Sequence, residues 1–113
     1  MILNRDLANA PKRLIQLVDK ITLTSPDTTI LVGSLTPLPF FNRQGAVDRF
    51  NAALQGLVLS KAAAGQRVVW VSMAAVLNAD LADGVHPNVV GYAKIGQAWA
   101  SSFLNAVENG LIK

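Results

Sequence analysis

A chain of 113 residues has room for one small domain and not for two. It is 51% hydrophobic and only 15% charged, yet no uncharged apolar run reaches the ~18 residues of a membrane-spanning helix. The net charge of +3 comes from ten basic residues scattered among seven acidic ones, which argues against a nucleic-acid-binding face, and the lack of cysteine excludes disulfides and thiolate chemistry.

In chain order, Leu14, Leu17, Val18 and Ile21 follow helical spacing and predict a helix ending before Ser25-Pro26-Asp27. Residues 28–35 form a short β-branched and apolar run, the pattern of a buried parallel strand. A loop over residues 36–44 carries Pro37, Pro39, Phe40, Phe41 and Asn42. Val47, Phe50, Leu54, Leu57 and Val58 then mark one face of a second helix, which should stop near Gly65. Residues 67–73 give the second strand. Ile95, Trp99, Phe103 and Val107 line the last helix at four-residue spacing, and both Trp70 and Trp99 are expected in the core.

The order helix, strand, helix, strand, helix predicts an α/β fold with a parallel sheet and right-handed crossovers. In such sheets ligands bind beyond the carboxyl ends of the strands. The loop at 36–44 and the loop around Asp83 and His86 therefore fall on the same edge. Phe40 and Phe41 are candidates for a substrate wall, with core packing as the equally simple alternative.

The segment Asp83-Gly84-Val85-His86-Pro87-Asn88 places a carboxylate three residues before the only histidine. Histidine accepts a proton near neutral pH, and a neighbouring carboxylate fixes its tautomer and stabilises the imidazolium that forms. Gly84 permits the sharp turn between them. Pro87 suits the first turn of a following helix, so His86 should lie close to the cap. Asp, Gly, His, Pro and Asn also occur in ordinary strand-to-helix loops, and a satisfied polar loop is the competing account. Asp80, Asp83 and His86 have metal-like spacing but make a sparse ligand set, and no metal site is expected.

The run from Asp83 through Gly91-Tyr92-Ala93-Lys94 resembles the last conserved block of the SGNH, or GDSL-type, hydrolases. There an Asp-x-x-His-Pro motif supplies two members of a catalytic triad. The opening Asn4-Arg5-Asp6-Leu7 through Leu14 resembles the helix after that family's Gly-x-Asn-Asp block, and Ser25 through Val32 resembles the next strand. The likeness is nearest to members related to carbohydrate esterase family three and extends over nearly the whole chain. It implies a flavodoxin-like three-layer α/β/α sandwich of which residues 1–113 are one partial domain, the C-terminal half. It also implies an acyl or acetyl esterase with Asp83 and His86 as catalytic residues, no cofactor, and a small ester or acetylated carbohydrate as substrate.

The family's Gly-Asp-Ser nucleophile block is not among these residues, nor is Gly-x-Asn-Asp, which would end about where Met1 falls. Ser25, Ser34, Ser60, Ser72, Ser101 and Ser102 do not follow a Gly-Asp pair, and none sits in a Gly-x-Ser-x-Gly elbow. Ser34, after Gly33, is the nearest imitation and is more simply a strand-end residue. Two functional classes remain: part of a serine esterase whose nucleophile lies on other sequence, or a non-catalytic remnant or interaction module. A partial sheet should expose a strand edge, so self-association is expected. The opening residues do not form a signal peptide, which predicts retention in the cell if the chain is complete, although the resembled family is often secreted.

Overall fold

A computed structural model describes residues 7–112. The opening Met1 to Asp6, including the first residues of the resemblance drawn above, lie outside the described residues.

Helix α1 (Ala10–Thr24) has Pro11 in its first turn, where a missing amide hydrogen costs nothing because the first N–H groups of a helix lack intrahelical partners. Pro11, Ile15 and Val18 form its buried stripe. Leu17, expected inward, is 53% exposed, since it lies one step round the helix from Val18 and off the stripe. The helix ends at Ser25, whose amide donates to the Ile21 carbonyl at 2.8 Å, just before Pro26, which disfavours a helical conformation in the residue before it.

Strands β1 (Ile30–Gly33) and β2 (Val68–Val71) pair in parallel, with Ile30 opposite Val68 and Gly33 opposite Val71. Both are shorter than the runs at 28–35 and 67–73. The reason at their carboxyl ends is chemical: the Met73 amide donates to Ser34 Oγ at 2.7 Å, so a side chain replaces the next main-chain rung. The pleat sends Ile30, Val32, Val68 and Trp70 to one face and Leu31, Gly33, Val69 and Val71 to the other.

Helix α2 (Gln44–Ala63) buries Val47, Leu54 and Val58. Leu54 and Val58 join Ile15, Val18, Val32 and Val68 in the main core, with Phe50, Leu57 and Trp70 packed against it. Trp70 is thus a half-buried flank of the core. The stop near Gly65 is a Schellman motif: Gly65 takes φ +93°, its amide donates to the Ala62 carbonyl, and Gln66 donates to Lys61.

Helix α3 (Val89–Glu108) covers the opposite face, completing helices on both sides of a parallel sheet. Asn88 is its N-cap, accepting from the Gly91 amide at 2.9 Å. Pro87 accordingly lies one residue before the cap and outside the first turn where the sequence reading put it. Trp99 rests on β1, so close that a Cβ on Gly33 would come within 2.8 Å of Trp99 Cζ2. The four-residue stripe is nonetheless only partly covered. Trp99 is 38% exposed, Phe103 49% and Val107 44%. A 20-residue helix is about 30 Å long, and two strands about 4.8 Å apart are too narrow to bury its apolar side.

The α/β class and the helix–strand–helix–strand–helix order read from the sequence are those of the structure. Among the described residues each strand has a partner on one side only, and no helix is long and apolar enough to cross a membrane.

Candidate active site

The connection from β2 to α3 builds the site. Asn78–Asp80 form a single 3₁₀ turn, and Leu81 pairs with Pro87 in an antiparallel bridge. The Ala82 amide donates to the His86 carbonyl at 2.7 Å, and the Asn88 amide donates to the Asp80 carbonyl at 2.7 Å. Residues 81–87 are therefore a miniature hairpin with Asp83, Gly84, Val85 and His86 at its tip.

At that tip one carboxylate organises everything. Asp83 Oδ1 accepts from the Val85 amide at 2.9 Å and the His86 amide at 2.7 Å, the self-capping turn that Asp favours. Its Oδ2 lies 2.7 Å from His86 Nδ1. Gly84 sits between them at φ +84°, a conformation that glycine adopts without steric cost. The His86 amide, the His86 ring and the Val85 amide together hold the Asp83 carboxyl well below the usual carboxylate range. An ionised acceptor at Nδ1 assigns the ring hydrogen to that nitrogen and leaves the Nε2 lone pair free. Both side chains are open to solvent, 56% exposed for Asp83 and 72% for His86.

Phe40 reaches this tip from the other loop. Its ring edge lies over Gly84, 3.0 Å from where a Cβ would stand, so the two loops meet at the carboxyl edge of the sheet as the topology requires. Phe40 is 47% exposed and lies beside the loop that carries Asp83 and His86. Phe41 belongs to the same 3₁₀ turn, Phe40–Asn42; its side chain lies outside the described residues.

The loop at 36–44 is held by side-chain amides. Asn51 clasps both main-chain groups of Leu35, and Gln44 Oε1 accepts from the Leu38 amide while its Nε2 donates to Asp48. Beside it opens a cleft of about 350 Å³ lined by Ser34, Pro37, Asn51, Trp70, Ser72 and Val76. Asp83 and His86 are not part of its lining. Ser34 is a strand-end residue here, its Oγ occupied by the Met73 amide.

Asp80, a weak metal candidate by spacing, is bound within the protein. Its Oδ2 accepts from Lys94 Nζ at 2.6 Å and from the Leu77 amide at 2.9 Å, with the residue only 8% exposed. Lys94, then the Leu77 amide, lowers its pKa. Among the described residues no group of three or more His, Asp or Glu is arranged to hold a metal. The sequence reading did not find the Asp80–Lys94 pair or the amide clasps of Asn51 and Gln44. Lys94 is fourteen residues from Asp80, a separation that leaves no local pattern to read.

The chain is thus a parallel α/β layer with an exposed carboxylate–imidazole pair on a loop beyond its sheet. No family model matches the chain. A family 3 carbohydrate esterase of Clostridium thermocellum shares the fold at a TM-score of 0.77 and 31% identity, the likeness covering 96% of this chain and 52% of that one. A curated protein of Acetivibrio thermocellus, provisionally named endoglucanase X, is 34% identical over 90 residues, 76% of this chain and 38% of the relative. The chain thus has an esterase-like α/β fold, similar in sequence and structure to a family 3 carbohydrate esterase, and spans about half the length of that esterase.

Proposed function

We propose that this chain is the relay-bearing portion of an SGNH-type ester hydrolase that removes acetyl groups from carbohydrates. The observation that carries the reading is the 2.7 Å contact between Asp83 Oδ2 and His86 Nδ1 at an exposed hairpin tip. The likeness to a carbohydrate esterase supports the substrate class. In this reading the chain corresponds to the C-terminal half of the domain, and the serine and oxyanion-hole donors lie on sequence beyond these residues.

A serine Oγ attacks the acetyl carbonyl while His86 Nε2 takes its proton. Asp83 holds the ring by Nδ1–H and stabilises the imidazolium. His86 then returns the proton to the departing sugar oxygen as the C–O bond breaks, leaving an acyl-serine. Water attacks that ester with His86 again as base, the acyl–Oγ bond breaks, His86 returns the proton to the serine oxygen, and acetate leaves. Phe40 would bound the space beside the reacting carbonyl.

The test uses the chain joined to an N-terminal half carrying Gly-Asp-Ser and Gly-x-Asn-Asp blocks, assayed on p-nitrophenyl acetate and on acetylated xylo-oligosaccharide. His86→Ala should collapse kcat with the fold intact, and Asp83→Asn should cost as much or less. The double variant should resemble the worse single one, because members of a relay are strongly non-additive. Losses that multiply would show two independent residues and defeat the reading. The alternative of an interaction module draws on the exposed apolar side of α3, and a completed form without hydrolase activity would favour it.

A further inference from the structure

We infer that the Asp80–Lys94 ion pair is a positioning device that fixes the Asp83–His86 hairpin against helix α3. The inference rests on reading Asp83 and His86 as a relay, and names what aligns them.

Asp80 is joined to both sides of the hairpin base. Its carboxylate gathers the Leu77 amide from the chain entering the turn and Lys94 Nζ from the helix leaving it. Its carbonyl accepts from the Asn88 amide, the cap residue of that helix. Asn88 in turn binds the Ala79 carbonyl through Nδ2 at 3.3 Å and the Gly91 amide through Oδ1. Gly91 is buried against this junction: a Cβ there would stand 2.6 Å from the Asp80 carbonyl oxygen and 2.9 Å from Pro87 Cβ. Only glycine lets the helix come this close.

The tip beyond this base has few anchors of its own. Asp83 and His86 are exposed, and the bonds joining residues 82–86 are local ones: Ala82 to His86, and Asp83 to Val85 and His86. The contact with Phe40 is the brace from elsewhere. The direction in which His86 Nε2 faces therefore depends on the base. The Asp80 and Lys94 side chains bond each other and the Leu77 amide and not the Asp83 or His86 side chains, so they are positioning residues. Lys94, 32% exposed and with a 2.6 Å bond to a largely buried carboxylate, spans the helix surface and the junction. Removing either partner leaves the two sides of the base joined by the Asn88 bonds, the Ala82–His86 bond and the Gly91 packing, without the ion pair.

The experiment follows the full chain by NMR, with aspartate labelled at the carboxyl carbon, and reads the Asp83 titration midpoint together with amide exchange at Val85 and His86. Lys94→Met keeps the apolar stem on a partly exposed helix position and removes the charge. Asp80→Ala removes both carboxylate bonds, and Asp80→Asn keeps an oxygen for the Leu77 amide. Lys94→Met and Asp80→Ala should raise the Asp83 midpoint by about one pH unit and speed exchange at the two amides roughly tenfold. Asp80→Asn should fall between, and Lys94→Arg should restore parental values. Core amides of α1 and α2 serve as the control for folding. If Lys94→Met keeps those core amides and leaves the Asp83 midpoint and both exchange rates unchanged, the positioning role is wrong while the relay stands. A parental Asp83 that titrates in the ordinary carboxylate range would instead overturn the relay geometry itself.

Discussion

The ring edge of Phe40 lies against the α-carbon of Gly84, leaving 3.0 Å to the position a β-carbon would take. That contact joins two loops far apart in sequence, and it depends on glycine twice, for the space and for φ +84°. Gly84→Ala should therefore displace Phe40 and strain the turn, with a loss of about 1–2 kcal/mol in urea unfolding, the cost of a left-handed conformation for an L-residue. Loss of the Asp83–His86 contact in the same variant would appear as a shift of the His86 ring resonances.

Acid should loosen the hairpin before it unfolds the core. The Asp83 pKa is lowered in the folded chain, chiefly by the His86 amide, then by the His86 ring and the Val85 amide. A depressed carboxyl contributes stability that is fully present above its unfolded pKa of about 3.9 and is lost as pH falls through the folded value. Asp80 has the same sign, with Lys94 as its largest cause. The protection of the Val85 and His86 amides, taken relative to unstructured peptide at the same pH, should thus hold steady from neutrality to about pH 4 and fall below it. A loss of protection centred near neutrality would contradict the assignment.

The residues that were legible in the sequence are those whose signal is local. The Asp83–Gly84–Val85–His86 spacing encodes its own turn, because Asp caps the amides two and three residues on, and so the contact with His86 could be foreseen. The α2 stripe of Val47, Leu54 and Val58 was equally plain, since one helix face meets one core. The α3 stripe was not, because Phe103 and Val107 carry a helical apolar pattern whose covering surface the chain does not supply. Asp80 and Lys94 escaped because an ion pair across a loop leaves no periodicity.

As a bare 113-residue chain, the protein should hydrolyse p-nitrophenyl acetate no faster than free imidazole does. None of its serines stands in a Gly-Asp-Ser block, and an oxyanion-hole donor alone is worth ~10²–10³ in rate. Saturable turnover abolished by His86→Ala would overturn this, and Ser34 would be the first serine to replace.

Self-association should be measurable. Trp99, Phe103 and Val107 leave an apolar ridge on α3, and the two-stranded sheet ends in unpaired edges among the described residues. Light scattering after size exclusion should show a mass that grows with concentration in the µM to mM range. Phe103→Lys should weaken the association. A monomer throughout that range, melting cooperatively above roughly 60 °C, would show that these residues satisfy one another unaided.

Leu54 is fully buried at the centre of the α1–β1–α2–β2 core. Leu54→Ala should cost about 2–5 kcal/mol, the range for emptying such a position. Because small domains have little stability to spare, the variant should show a collapsed thermal transition by circular dichroism.

At the far end of the sheet from Asp83 and His86, one carbonyl joins three parts of the chain. Leu111, just past α3, accepts from Arg67 Nη1 at 2.7 Å and from Thr29 Oγ1, the residues immediately before β2 and β1. The carbonyl works as a buckle on the amino ends of both strands, fastened by a residue that the chain reaches only after α1, α2 and α3. On a ribosome the two strands can pair before Leu111 emerges, but they cannot be locked to α3 until it does. Closure of the sheet's base therefore waits on the residues just after α3, and a cut between Glu108 and Leu111 should unfasten both strands at once.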